Sequence, residues 1–153
     1  MARAKALADD RQSLYERDFC LWLEQQAGLL RERRFDELDI ANLVEEIEAM
    51  ARKDKKAIES NLVVLLTHLL KHQFQPEQRS SSWRGSIVEH RRRLRYDFEE
   101  SPSLRPHAAE VFPRAYADAR EQASAETALP LRNFPKSSPY TLEQTLDPSF
   151  LPD

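Results

Sequence analysis

Glycine is nearly missing from this sequence: its 153 residues hold two, Gly28 and Gly85. Hairpins and tight turns lean on glycine for positive φ, so the shortage argues against an all-β fold. Proline is absent until Pro76, which leaves the first half of the chain open to long helices. Cysteine occurs once, at Cys20, so no internal disulfide is available and a reducing cytoplasm is the compartment expected. Between Phe19, Leu21 and Trp22 that thiol reads as a buried structural group rather than a nucleophile. Apolar runs such as Leu62–Leu66 are far too short for a bilayer, and the opening MARAKALADDRQ lacks the apolar centre of a signal peptide. No strong charge of one sign is present either. With 23 basic and 26 acidic residues the net charge is −3, which gives no global pull towards nucleic acid or an acidic membrane.

What is there is helical pattern. The reading is one domain over residues 1–153, with a frayed lead-in at 1–10 and an extended, Pro-rich tail at 130–153. Leu14, Tyr15, Phe19, Trp22, Leu23, Leu29 and Leu30 mark a first helix from about residue 11 to about 33. Asp36 or Asp39 then caps a second start, with Leu43, Ile47 and Met50 on one face. The stripe continues through Ile58, Leu62, Leu65 and Leu69 to Phe74. The segment ARKDKK is polar all round, so a break or kink is expected near Arg52–Lys55. Beyond Ser60 the pattern is apolar on nearly every side, as for a central buried helix. Pro76 stops it, RSSSW opens a third helix with a serine cap, and SPSL opens a last long helix to about Thr127 with Ser101 as its cap. One short helical turn is expected near Thr141–Leu146. The fold class expected is all-α, a single small bundle of about four to five helices. Its expected core is Ile58–Leu70, Trp22, Trp83 and Leu94, with the tail laid on the body through Phe134, Tyr140, Leu142 and Phe150.

Several stretches together carry a family likeness: YERDFCLWLEQQAGLLRERRFDELDIANLVEEIE, HLLKHQFQPEQRSSSWRGSIVEHRRRL, SPSL and FPKSSPYTLEQTLD. The chain resembles, over nearly its whole length, the bacterial family catalogued as domain of unknown function number twenty-nine, frequent in cyanobacteria and proteobacteria. The resemblance implies a small all-helical protein and carries no activity with it.

Chemistry has three candidate places. His68 and His72, four apart on one helical face, could hold a metal ion if carboxylates of the second helix converge on them. Glu45 and Glu48 sit on adjoining turns, and Asp97, Glu99 and Glu100 form a second acidic cluster; the plainer reading is a solvated face with Glu48 and Arg52 paired. The third helix is basic, with Arg79, Arg84, Arg91, Arg92, Arg93 and Arg95. Arg91 falls on the apolar stripe between Ile87 and Leu94, so it should be buried and paired with Glu45, Glu46 or Glu48. At the corner between the second and third helices, His68, Lys71, Arg79, Ser80, Ser82 and Arg84 form the best binding candidate, suited to an anion or a stretch of nucleic acid. No catalytic set is complete and no cofactor is implied. The expectation is therefore a non-enzymatic cytoplasmic module that binds a macromolecule, protein before nucleic acid. The alternative is a metal-dependent hydrolase using His68, His72 and carboxylates of the second helix.

Overall fold

The computed structural model describes residues 14–153, so the lead-in expected at residues 1–10 lies outside them. The fold is all-α, with no strand among the described residues. The chain divides into two compact units, Met1–Arg52 and Lys53–Asp153.

In the first unit, residues 14–17 make a helical turn. Asp18 interrupts it and caps α1 (Phe19–Arg31), its carboxylate accepting the Leu21 N–H at 3.0 Å. The helix expected from about residue 11 to about 33 is therefore divided at Asp18, and its residues 11–13 lie outside the described ones. Arg33 turns the chain at a φ of 58°, and a short turn at Phe35–Glu37 leads to α2 (Ile40–Phe74). Asp39, just ahead of α2, ties the unit together. Its carboxylate accepts from the Asn42 side chain at 2.8 Å and from the Trp22 indole at 3.1 Å, and its N–H donates to Gln26 Oε1 at 2.8 Å. Trp22 is fully buried, with the Tyr15 and Phe19 rings at 4.8 and 5.7 Å. Cys20 corrects the sequence reading: it is exposed, because α1 turns Trp22, Gln26 and Leu29 inward and leaves Cys20 on another face. Ile47 and Met50, on the face the sequence marked with Leu43, stand 60 % and 61 % exposed.

The break expected near Arg52–Lys55 does not occur; α2 is one helix of 35 residues. A polar stretch stays helical when its residues are good helix formers and its charges pair along the surface. Here Arg52 reaches Glu45 at 2.9 Å and Glu48 at 3.7 Å.

The second unit is a helical bundle. It is made of the later part of α2 with α3 (Ser81–Glu100), α4 (Leu104–Thr127) and the short α5 (Leu142–Leu146). Ile58, Leu62, Leu65, Leu66, Leu69 and Leu70 of α2 are fully buried, each worth about 2 kcal/mol in apolar burial. Ile87 and Leu94 of α3 join them. From α4 come Ala108, Ala115, Ala119 and Ala123, and these small side chains let α2 lie close. The Thr67 hydroxyl bonds within its own helix to the Val63 carbonyl at 2.7 Å and stands 3.5 Å from the Ala119 carbonyl of α4. Trp83 is not a core residue. It is half-buried, with the Lys71 ammonium 4.6 Å above its ring. Ser101 closes α3 instead of opening α4: its N–H donates to the Asp97 carbonyl at 2.9 Å, and Ser103 precedes α4.

The last residues lie against this bundle. Phe134, Tyr140 and Leu142 are buried, Arg120 donates to the Leu131 and Phe134 carbonyls at 3.0 Å each, and the Tyr116 hydroxyl donates to the Pro135 carbonyl at 2.6 Å. A capping box of Thr141 and Gln144 starts α5.

Candidate functional site

The corner is built by three local rules. Pro76 ends α2, a short turn at Pro76–Gln78 reverses the chain, and Ser80 restarts a helix by accepting the Trp83 N–H at 3.2 Å. The result is a cavity of about 410 Å³ lined by His72, Arg79, Ser80, Ser81, Arg84 and Leu151. Arg79, Ser80 and Arg84 are thus brought together as the sequence suggested. Arg79 is anchored, its Nε donating to the His72 carbonyl at 2.7 Å. His72 is 7 % exposed, and its Nδ1 meets the Pro152 carbonyl at 3.0 Å. A carbonyl only accepts, so Nδ1 carries the proton. Burial, then the nearby Arg79 and Arg84, hold this imidazole below the usual 6.5.

The other residues expected at the corner lie elsewhere. Lys71 donates to Glu126 at 2.8 Å and covers Trp83. Gln122 and Lys71 donate to Glu126, which outweighs the upward effect of its burial and holds that carboxyl low. His68 turns back to its own helix, Nδ1 meeting the Val64 carbonyl at 2.8 Å. It lines a different cavity, of about 510 Å³, with Thr67, Asp118, Gln122 and Glu126. Burial and Lys71 lower its pKa. Ser82 is exposed and does not line the corner cavity. The two imidazoles expected as a metal pair therefore face separate cavities. Ser81 and Leu151 were missed: one because three adjacent serines look alike in sequence, the other because it arrives from the chain's far end.

The carboxylates also go separate ways. Glu45 and Glu48 engage Arg52, and Glu46 accepts from the Tyr15 hydroxyl. Asp97 and Glu100 line a cavity of about 60 Å³ with Asp54, and burial together with those two neighbours pushes the Asp97 carboxyl up. Among the described residues no group of three or more His, Cys, Asp or Glu is placed to hold a metal.

Arg91 needs a correction of partner. It is 7 % exposed, as its place on the apolar stripe suggested. Its guanidinium, however, donates to backbone carbonyls rather than to Glu45, Glu46 or Glu48. The acceptors are Thr145 at 2.9 Å and Phe150 at 2.8 Å, with Gln144 at 3.5 Å. Along the rest of α3, Arg92 and Arg93 share Glu89 at 3.1 and 2.8 Å.

The family model described as Domain of unknown function DUF29 matches residues 14–151. The chain belongs to this family. No curated protein and no solved structure matches it. What a DUF29 member of this kind does has to be read from its own surfaces. No helix among the described residues is long and apolar enough to cross a membrane. The apolar side chains left in the open gather in the first unit. Ile40, Val44 and Ile47, at spacings of four and three, form one stripe along α2, with Met50 at its edge. Phe35, 59 % exposed, stands just ahead of it. Between residues 14 and 52 acidic side chains outnumber basic ones ten to five.

Proposed function

We propose that this protein is a non-enzymatic module of the cytoplasm that binds another protein through the apolar stripe of its first unit. The observation that carries this reading is Ile40, Val44 and Ile47 exposed in register on one helix, with Phe35 and Met50 beside them. A contiguous exposed apolar surface of this kind is costly in water and marks a contact surface. The occupant that fits is an amphipathic helix with basic flanks. An apolar stripe on a helix takes the matching stripe of another helix, and an acidic surround selects cations at its rim. The acidic excess of this unit also disfavours nucleic acid as the partner here. Exposed, unpaired Cys20 suits a reducing compartment.

The test uses two synthetic helical peptides with the same leucine face, one flanked by lysine and the other by glutamate. Calorimetry at low salt should show saturable 1:1 binding of the lysine peptide, weakened by added salt, and little binding of the glutamate peptide. The variant Val44→Asp with Ile47→Asp should lose that binding while keeping its circular dichroism spectrum, since both side chains are exposed. Binding of neither peptide, or equal binding by the variant, would overturn the reading. So would sedimentation showing a dimer that this variant dissociates, because the stripe would then belong to a second copy.

A further inference from the structure

The second unit holds a buried cation whose hydrogen bonds, among the described residues, go to no carboxylate. Arg91 is 7 % exposed, and its hydrogen-bond partners are the neutral carbonyls of Thr145, Gln144 and Phe150. Asp147 acts on it through space only, because that carboxylate is turned to Ser149, accepting its N–H at 2.8 Å and its hydroxyl at 2.7 Å. A guanidinium largely removed from water and hydrogen-bonded to no carboxylate is expensive.

This side chain forms part of the wall of an open cavity of about 410 Å³. Three more arginines, Arg92, Arg95 and Arg105, line the same cavity, against one carboxylate, Glu99. Arg95 and Arg105 lie over the Tyr96 and Phe98 rings at 5.3 and 5.7 Å, and their nearest carboxylates, Glu99 and Glu143, stand at 3.9 and 3.8 Å, beyond hydrogen-bond length. The remaining wall is apolar, made by Val88, Phe98, Leu146 and Pro148. The volume lies in the range of small-molecule sites, which combine an apolar lining with a few placed polar groups.

We propose that this cavity binds a small amphiphilic anion, an apolar body carrying a phosphate or carboxylate head. The head is held by Arg95 and Arg105 at the mouth and by the field of Arg91 behind them. The body lies on Phe98, Leu146 and Val88. Guanidinium groups present paired N–H donors that match either head. Bound there, the anion adds to the counter-charge that Asp147 supplies to Arg91 only through space. The site lies wholly in the second unit, so it stands or falls apart from the stripe of the first.

Three probes and two variants test it on the full chain. Phenyl phosphate carries both head and body, inorganic phosphate only the head, and benzyl alcohol only the body. Calorimetry at low salt should give saturable 1:1 binding of phenyl phosphate. Inorganic phosphate should bind about tenfold or more weaker, and benzyl alcohol should not bind saturably. Arg95→Gln with Arg105→Gln should raise the Kd for phenyl phosphate by about tenfold or more, the loss expected when charge-assisted hydrogen bonds are removed. Both side chains are exposed, so the variant should melt like the parent protein. Val88→Glu, at a position 63 % exposed, should also block binding by placing a carboxylate on the wall. Absence of saturable phenyl phosphate binding, equal affinity for inorganic phosphate, or unchanged affinity in the double variant would overturn the proposal.

Discussion

Arg91 of α3 and Phe150 near the end of the chain are joined, guanidinium to carbonyl, at 2.8 Å across 59 positions of sequence. The same side chain holds the Thr145 carbonyl at 2.9 Å, so one residue fixes both α5 and the segment after it. Arg91→Met keeps the apolar stem but strands these carbonyls, Thr145's in a buried bond and Phe150's in a partly buried one. We expect a loss of roughly 3 kcal/mol, since each buried acceptor left unpaired costs on the order of 1–3 kcal/mol. Arg92→Ala, which removes only an exposed contact to Glu89, should cost under about 0.5 kcal/mol. Urea unfolding of the two variants measures the difference; equal small losses would show that the last residues are held by other contacts.

Ala128 closes α4 in the left-handed conformation at a φ of 59°. An alanine there carries a Cβ clash that glycine avoids, at about 1 kcal/mol. Ala128→Gly should therefore stabilise the protein by about that amount. The reverse exchange applies at Gly85, inside α3, where an added Cβ meets nothing within 4 Å. Gly85→Ala should add roughly 0.5–1 kcal/mol through helix propensity. Thermal melts of the single and double variants check both signs, and the two should add, since the sites lie on different helices.

Asp97 sits beside Glu100 and Asp54 around a small cavity, half-buried and with its carboxyl pushed up by burial and by those charges. A raised carboxyl means that the ionised form is disfavoured in the folded state. Its penalty is absent below the unfolded value of 3.8 and grows as pH rises through the folded value. At neutral pH, Asp97→Asn should raise the melting temperature. The gain should vanish towards about pH 2.5, where the carboxyl is protonated in both states. A variant less stable than the parent at neutral pH would mean that the carboxylate has a partner in solution.

Much of this fold was legible because helices announce themselves locally. The serine cap of α3, the short turn near Thr141–Leu146 and the stop at Pro76 follow from side chains within three residues of the backbone groups they affect. The buried run Ile58–Leu70 was legible for the same reason: its apolar residues surround the helix. What the pattern leaves open is which apolar residues of one face find a partner. Ile47 and Leu43 have the same pattern value, yet Leu43 is half-buried and Ile47 stands in the open. Arg91 is a different case. Its burial showed in the stripe, but backbone carbonyls accept equally from any residue type and leave no trace in sequence. The corner was half legible: Arg79, Ser80 and Arg84 meet because they are neighbours along the chain. Leu151 joins them only through the folded path of the final residues, as does the Pro152 carbonyl held by His72.

His68 and His72 give the protein a pH dependence with a definite sign. Burial lowers both pKa values below 6.5, helped by Lys71 at His68 and by Arg79 and Arg84 at His72. The carbonyls of Val64 and Pro152 work the other way without prevailing. In the unfolded chain both rings titrate near 6.5, so between that value and the lower folded values the unfolded state binds more protons. The stability these rings contribute is complete above 6.5, is lost as pH falls towards the folded values, and does not change further below them. Melting temperature should therefore drop between about pH 7.5 and about pH 5.5, a window in which carboxylates stay ionised. His68→Gln and His72→Gln should each flatten the drop in part, and together remove most of it. His72→Gln keeps a side-chain N–H for the Pro152 carbonyl, so its melt at pH 7.5 should stay near that of the parent. A parent profile flat across this window, or a double variant that falls as steeply as the parent, would place the sensitivity on other groups.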